Sequence, residues 1–396
     1  MEKKSRKLSA MVVAGLMLCV TNVFSVPAIE MDYTCPIGKE KFRSIDYSPQ
    51  CPTNKFVMFK NEFTKEELKK YEKIINSKEY KAVPKTSPKE YYLGRFYEMA
   101  GGFSDKEIGE TYYKAYRAQI NWNSENTNIL KESLTKGISY LEKSLPMENK
   151  SEFPWSLAYL YISNKEFDKA NALVEKQDKN IHLERIANFY YSISDVEKSK
   201  ENYYGYDYMD FDNKSIDKKT EKEFREKALY YLQAVIKKNK GHYSEKELFR
   251  LVDLYKSLGN EKAIDEVFSK APSEYWSSIV SYYLDEPIGS IGDVYDGKKS
   301  ATEDNLKKAL SYADKLVKMI SKNNSADKIQ YNLSIILKAE AERRLGKFEE
   351  ASKTLSKINI TDIKDTIYRY DFERLKELTE KKDSSVREYT PLPIMY

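Results

Sequence analysis

The chain has 396 residues, 41% hydrophobic and 33% charged, with 14 Gly and 12 Pro, a composition that excludes a disordered protein and reads as largely helical. Its formal net charge is +5, and the short segment Glu2 to Lys7 holds four basic residues and one acidic, leaving about +2 for the rest. Lys and Glu alternate as they do on solvated helix faces and form no basic stripe interleaved with aromatics, so nucleic acid is not an expected partner.

The basic start is followed by an apolar run from Leu8 to about Phe24, with small residues at Ser25 and Ala28. This is the layout of a secretory signal peptide over 1–28, with Val26-Pro27-Ala28 before Ile29 the better cleavage point. It predicts an exported protein, periplasmic or secreted. An uncleaved run would instead anchor the chain in a membrane, the one membrane contact expected. Leu16-Met17-Leu18-Cys19 superficially resembles a lipoprotein signal, but Leu18 stands where a small residue is needed. Cys19 would leave with the leader, so the mature chain keeps Cys35 and Cys51, and two cysteines in an exported chain predict one disulfide.

Residues 29–62 have no helical period. Tyr33-Thr34-Cys35-Pro36-Ile37-Gly38 is echoed by Cys51-Pro52-Thr53-Asn54-Lys55-Phe56. The layout resembles paired zinc knuckles of the Cys-Pro-x-Cys type, and the start of a bacterial family in which two such knuckles precede a helical repeat region. Gly38 and Asn54 stand where each knuckle needs its second cysteine, and no histidine is nearby, so no metal is expected. A Cys35–Cys51 bridge would tie the same loop and contribute roughly 3 kcal/mol, useful for a module too small to own a core.

Helices are expected over 63–380. The first, Thr64 to Ser77, opens with a Thr64-x-x-Glu67 capping box and carries Leu68, Tyr71, Ile74 and Ile75 on one face. Pro84 and Pro88 then interrupt the chain. Beyond them a loose repeat resembles the tetratricopeptide (TPR) pattern of antiparallel helix pairs. Its clearest unit is Leu157-Ala158-x-x-Tyr161, Lys165 to Ala170 and Val174. Others are Ala187-x-x-Tyr190 with Ser194 to Tyr203; Leu251-Val252-x-x-Tyr255 with Leu258-Gly259 and Ala263; and Ala339 with Leu345-Gly346-Lys347-Phe348, Ala351 and Leu355. Leu93-Gly94-x-x-Tyr97 begins an earlier unit, and Leu130–Leu145 and Phe224–Lys237 are drifted partner helices. The resemblance implies an all-α, right-handed α-solenoid, because one hairpin cannot bury its apolar face alone. Gly205–Thr220 and Asp285–Thr302 are expected loops, and 381–396 a C-terminal tail.

No catalytic constellation emerges. The two histidines, His182 and His242, leave nothing for His-dependent triads or metalloprotease motifs, and no phosphate-cradling loop or nucleophile elbow is present. Asp207, Asp210, Asp212 and Asp217 suggest a calcium loop, but Lys214 and Ser215 stand where a third oxygen ligand and the turn glycine belong. No cofactor is implied.

Tyr is abundant, 33 residues with six adjacent pairs, of which at most one member is expected to face the core. Packing is the favoured role for these rings, with binding of peptides or sugars the other. In the TPR-like register the first helix of each hairpin lines a concave side, placing Trp155, Tyr159, Asn188, Tyr191, Asp253, Lys256, Arg343 and Arg344 there. These do not reproduce the Lys/Asn clamp of some repeat proteins. The expectation is a non-catalytic binding or scaffold protein of the bacterial cell envelope, holding a protein or peptide. The alternative is carbohydrate or cell-wall binding through exposed Tyr and Trp. A carboxylate-based enzyme would need two close carboxylates in a buried cleft.

Overall fold

The computed structural model describes residues 30–121, 127–145, 155–194, 217–284, 301–321, 328–362 and 366–385. The segment 1–28, expected to be a leader, lies outside them. The chain is all-α apart from one small hairpin, with sixteen α-helices and two strands among the described residues. It divides into two compact units, Met1–Gln177 and Asp178–Tyr396.

The first unit opens on strand β1 (Met31–Thr34), antiparallel to β2 (Lys41–Ser44), with Met31 opposite Ser44 and Thr34 opposite Lys41. The echo in the sequence is an echo in structure. Cys35 N donates to Glu40 O and Cys51 N to Phe56 O, each at 2.8 Å, and Gln50 bridges Val57 just as β1 pairs β2. The Cys35 and Cys51 sulfurs lie 2.26 Å apart with Cα atoms at 5.7 Å, forming a disulfide. Asn54, at a missing ligand position, stitches the halves together. Its Nδ2 donates to Ile37 O (2.8 Å) and its Oδ1 accepts from Phe56 N (3.0 Å).

This segment is no separate module. Cys35, Ile37, Cys51, Phe56 and Val57 are buried in one cluster with Tyr71, Tyr80, Tyr92 and Phe96. The Phe56 ring lies 5.4 Å from Phe63 and 5.5 Å from Phe96. Residue 62 therefore marks a change of secondary structure inside a shared core, as a segment too small to bury its own apolar surface requires.

Helix α1 (Lys65–Ile75) has the predicted capping box, with Glu67 N donating to Thr64 Oγ1 and Thr64 N to Glu67 Oε2. It stops at Ile75, because Ser77 caps a new short helix, α2 (Lys78–Lys81). Then follow α3 (Lys89–Ala100), α4 (Asp105–Asn121), α5 (Thr127–Ser144), α6 (Trp155–Ser163) and α7 (Phe167–Glu175). Small residues set the spacing. A Cβ on Gly109 would lie 2.7 Å from Leu141 Cγ, and one on Gly137 2.8 Å from Leu160 Cδ1, so α4 and α6 close on α5 only because these side chains are absent.

The second unit comprises α8 (Lys179–Ser194), α9 (Lys218–Lys238), α10 (Glu245–Ser257), α11 (Glu261–Ser269), α12 (Trp276–Leu284), α13 (Glu303–Ser321), α14 (Lys328–Arg344), α15 (Phe348–Leu355) and α16 (Thr366–Glu380). Helix α9 begins inside the expected 205–220 loop. Asp217, one of the acids that suggested calcium, caps it by accepting from Lys219 N and Thr220 N. The rest of that loop, 285–300 of the next, and the second half of the Ala187 repeat lie outside the described residues.

Within each unit the packing is local: helices touch the next in sequence and sometimes the next but one, as with α4 on α6 and α14 on α16. Three hairpins, α6–α7, α10–α11 and α14–α15, share one connection. Residues Lys165, Gly259 and Gly346 have φ of 63°, 72° and 74°. At each, paired amides close on the preceding helix: Glu166 N to Tyr161 O with Lys165 N to Ile162 O, Asn260 N to Tyr255 O with Gly259 N to Lys256 O, and Lys347 N to Glu342 O with Gly346 N to Arg343 O. This is the Schellman ending. Most apolar positions of the quoted repeats are buried too, from Leu157, Ala158, Ala170 and Val174 to Ala339, Ala351 and Leu355, while Tyr255, Leu258, Leu345 and Phe348 are half-buried. In the middle hairpin Ile264 takes the buried place expected of Ala263, the helix starting one residue off register.

The expected tail does not begin at 381. Arg343 donates through Nη1 to Asp383 O and through Nη2 to Ser385 O (2.8 Å), holding Lys381–Ser385 against α14. Residues 386–396 lie outside the described residues.

Candidate functional site

The abundance of Tyr has a physical basis in both units. Tyr91 and Tyr92 are both buried, as are Tyr190 and Tyr191, which corrects the expectation of one core-facing ring per pair. Helix α3 lies between neighbours: the Tyr92 ring meets Tyr80 on one side and the Tyr91 ring meets Tyr112 on the other. On α9 the expectation holds, with Tyr231 buried and Tyr230 63% exposed. Tyr203 and Tyr204 lie outside the described residues.

A recurring arrangement surrounds these rings. A core Tyr donates its hydroxyl to a carboxylate that also pairs with a cation lying over a Tyr ring. Tyr161, Glu142 and Lys169 form one such trio, and Tyr283, Asp265 and Lys308 another. In a third, Tyr91 donates to Glu132, and Lys136 pairs with Glu132 and Glu98 while lying over the Tyr112 ring. Burial, aided by the neighbouring carboxylate, pushes the Tyr161, Tyr283 and Tyr91 hydroxyls above the usual tyrosine range. Each is an amphipathic side chain with its body in the core and its polar end satisfied at the edge.

One cluster departs from this balance, and it gathers three of the predicted residues. Asn188 and Tyr191 sit one turn apart on α8, and on α10 Asp253 sits one turn after Arg250, so each pair shares a helix face. Both helices pack against α9. Tyr191 OH donates to Asp253 Oδ2 at 3.2 Å. The Arg250 guanidinium lies 4.8 Å from the Tyr191 ring centroid, and its Nη1 donates to Asn188 Oδ1 at 2.5 Å. Arg250 is half-buried and Asn188 exposed. Sequence reasoning missed Arg250, although its place one turn before Asp253 would have put it on the same face.

The other predicted residues are elsewhere. Lys256 is exposed, its Nζ 5.8 Å from the Tyr282 ring centroid. Trp155 and Tyr159 are half-buried in the first unit, at the start of α6. Arg343 and Arg344 are not surface groups, being 0% and 7% exposed. Arg343 makes a bidentate pair with Glu340, itself 0% exposed, at 2.7 and 2.9 Å, while Arg344 Nη1 donates to Leu284 O, the last carbonyl of α12. The second unit consumes both guanidiniums in holding itself together.

A groove of about 530 Å³ runs between Ile358–Ile360 and α16, lined by Phe372, Lys376 and three glutamates. It is open, and its carboxylates are ion-paired, Glu373 with Arg369 and Glu377 with Arg374 and Lys381. Among the described residues no three His, Cys, Asp or Glu side chains converge as metal ligands, and no helix is long and apolar enough to cross a membrane. No protein-family model, curated protein or solved structure matches the chain.

Proposed function

We propose that the chain is an exported, non-catalytic binding or scaffold protein of the bacterial cell envelope, whose TPR-like hairpins stack as a right-handed solenoid and hold a protein or peptide partner. The observation that carries this reading is the cluster of Asn188, Tyr191, Arg250 and Asp253, in which two helices hold an exposed amide and a half-buried guanidinium over a tyrosine ring. The shared hairpin ending and sequential packing support the repeat architecture. A buried disulfide favours an oxidising compartment, in line with the leader.

Carbohydrate binding is the weaker reading. A sugar ring needs an open aromatic face, and the Tyr191 ring already has a guanidinium over it. The test is a photo-crosslinking amino acid at position 184, exposed one turn before Asn188 on α8, in the full-length protein produced in a bacterial host and activated in intact cells. Adducts with an envelope protein are expected. Adducts with glycan alone, or none, would overturn the peptide reading.

A further inference from the structure

The cations of the three trios are each neutralised by a carboxylate. Arg250 is held as firmly, but it forms no ion pair among the described residues. Its Nη1 is committed to the neutral Asn188 amide and its plane lies over Tyr191, while Nε and Nη2 bond to no described residue. That leaves the edge of the guanidinium whose two parallel N–H groups match a planar carboxylate, already oriented by its neighbours, so little side-chain freedom is lost on binding. The Asn188 Nδ2 remains a second donor beside it.

We propose that Arg250 and Asn188 form a carboxylate-binding site, taking an Asp or Glu side chain of the peptide partner; this rests on the peptide-binding reading above. Asp253, one turn along the same helix and fixed through Tyr191 OH, lowers the affinity of the site for any anion.

The test uses full-length protein and two probes, short fluorescent peptides of oligo-glutamate and oligo-glutamine. Oligo-glutamate is expected to bind and to shift the Arg250 Nε–Hε resonance, with oligo-glutamine silent. Arg250→Gln should weaken oligo-glutamate binding about tenfold or more, and Arg250→Lys nearly as much, since an ammonium keeps the charge but not the fork. Lys70→Gln, an exposed position on α1, should change nothing. Equal oligo-glutamate binding by Arg250→Gln and the parent, or oligo-glutamine binding as tight as oligo-glutamate, would overturn the site. If Arg250→Gln still yields the position-184 adducts with an envelope protein, the site fails and the peptide reading stands. If the parent yields none, the peptide reading itself fails.

Discussion

Replacing Arg343 by Met tests whether the second unit is held closed by a buried ion pair. The guanidinium meets both Glu340 oxygens, at 2.7 and 2.9 Å, with both side chains fully buried, and it carries the carbonyls of Asp383 and Ser385. Removing one partner strands the other charge away from water, which costs about 3–5 kcal/mol. Glu340→Met should fall at the lower end, because the guanidinium keeps its two carbonyl acceptors. The double variant removes both charges and should be less destabilised than the sum of the two by at least about 2 kcal/mol. Urea unfolding of the four proteins closes the cycle. Limited proteolysis supplies a second readout, with cleavage near Ser385 accelerated in Arg343→Met. Additive single effects, with coupling below about 0.5 kcal/mol, would refute the reasoning.

Other outcomes follow from the same structure. Lys165 occupies the left-handed position that Gly259 and Gly346 fill in the other two hairpins, so Lys165→Gly should raise stability by about 1 kcal/mol in thermal unfolding. Reducing the Cys35–Cys51 bridge, or substituting Cys51→Ser, should cost about 3 kcal/mol and loosen the Phe56–Phe96 core, seen as a lower urea midpoint. Buried hydroxyls such as Tyr283, and Tyr97, pushed up to about 12 mainly by burial, stay protonated in the folded chain while unfolded Tyr ionises near pH 10. The unfolded state therefore binds fewer protons between those values. Stability should fall by about 1.4 kcal/mol per pH unit for each such Tyr above pH 10, with tyrosinate absorbance rising in step with unfolding.

The parts of the fold that were legible are those fixed by local chemistry. Thr64 and Glu67 announce a capping box three residues apart, and Leu345-Gly346-Lys347-Phe348 announces a hairpin because only a residue tolerant of positive φ ends a helix that way. The disulfide was legible because only two of the three cysteines, Cys35 and Cys51, lie outside the apolar N-terminal run. The misplaced residues depend on distant chain. Arg343 looks like a surface cation at the end of a helix, and nothing within ten residues reveals that Asp383 and Ser385 return to cover it. Likewise Tyr91 and Tyr92 are both buried because two separate helices cover α3, which its own periodicity does not encode. The candidate site was half legible: the repeat register gave Asn188, Tyr191 and Asp253, and Arg250 entered only through its contact with an α8 ring 59 positions away.

The central claim, that the α8–α10 surface holds a peptide partner, is tested most directly by hydrogen–deuterium exchange of the full-length protein with and without the envelope protein captured at position 184. The account predicts slowed exchange in α8 around Asn188–Tyr191 and in α10 around Arg250–Asp253, with α3 to α5 of the first unit unchanged. Protection confined to other helices, or none on either face of this cluster, would contradict it.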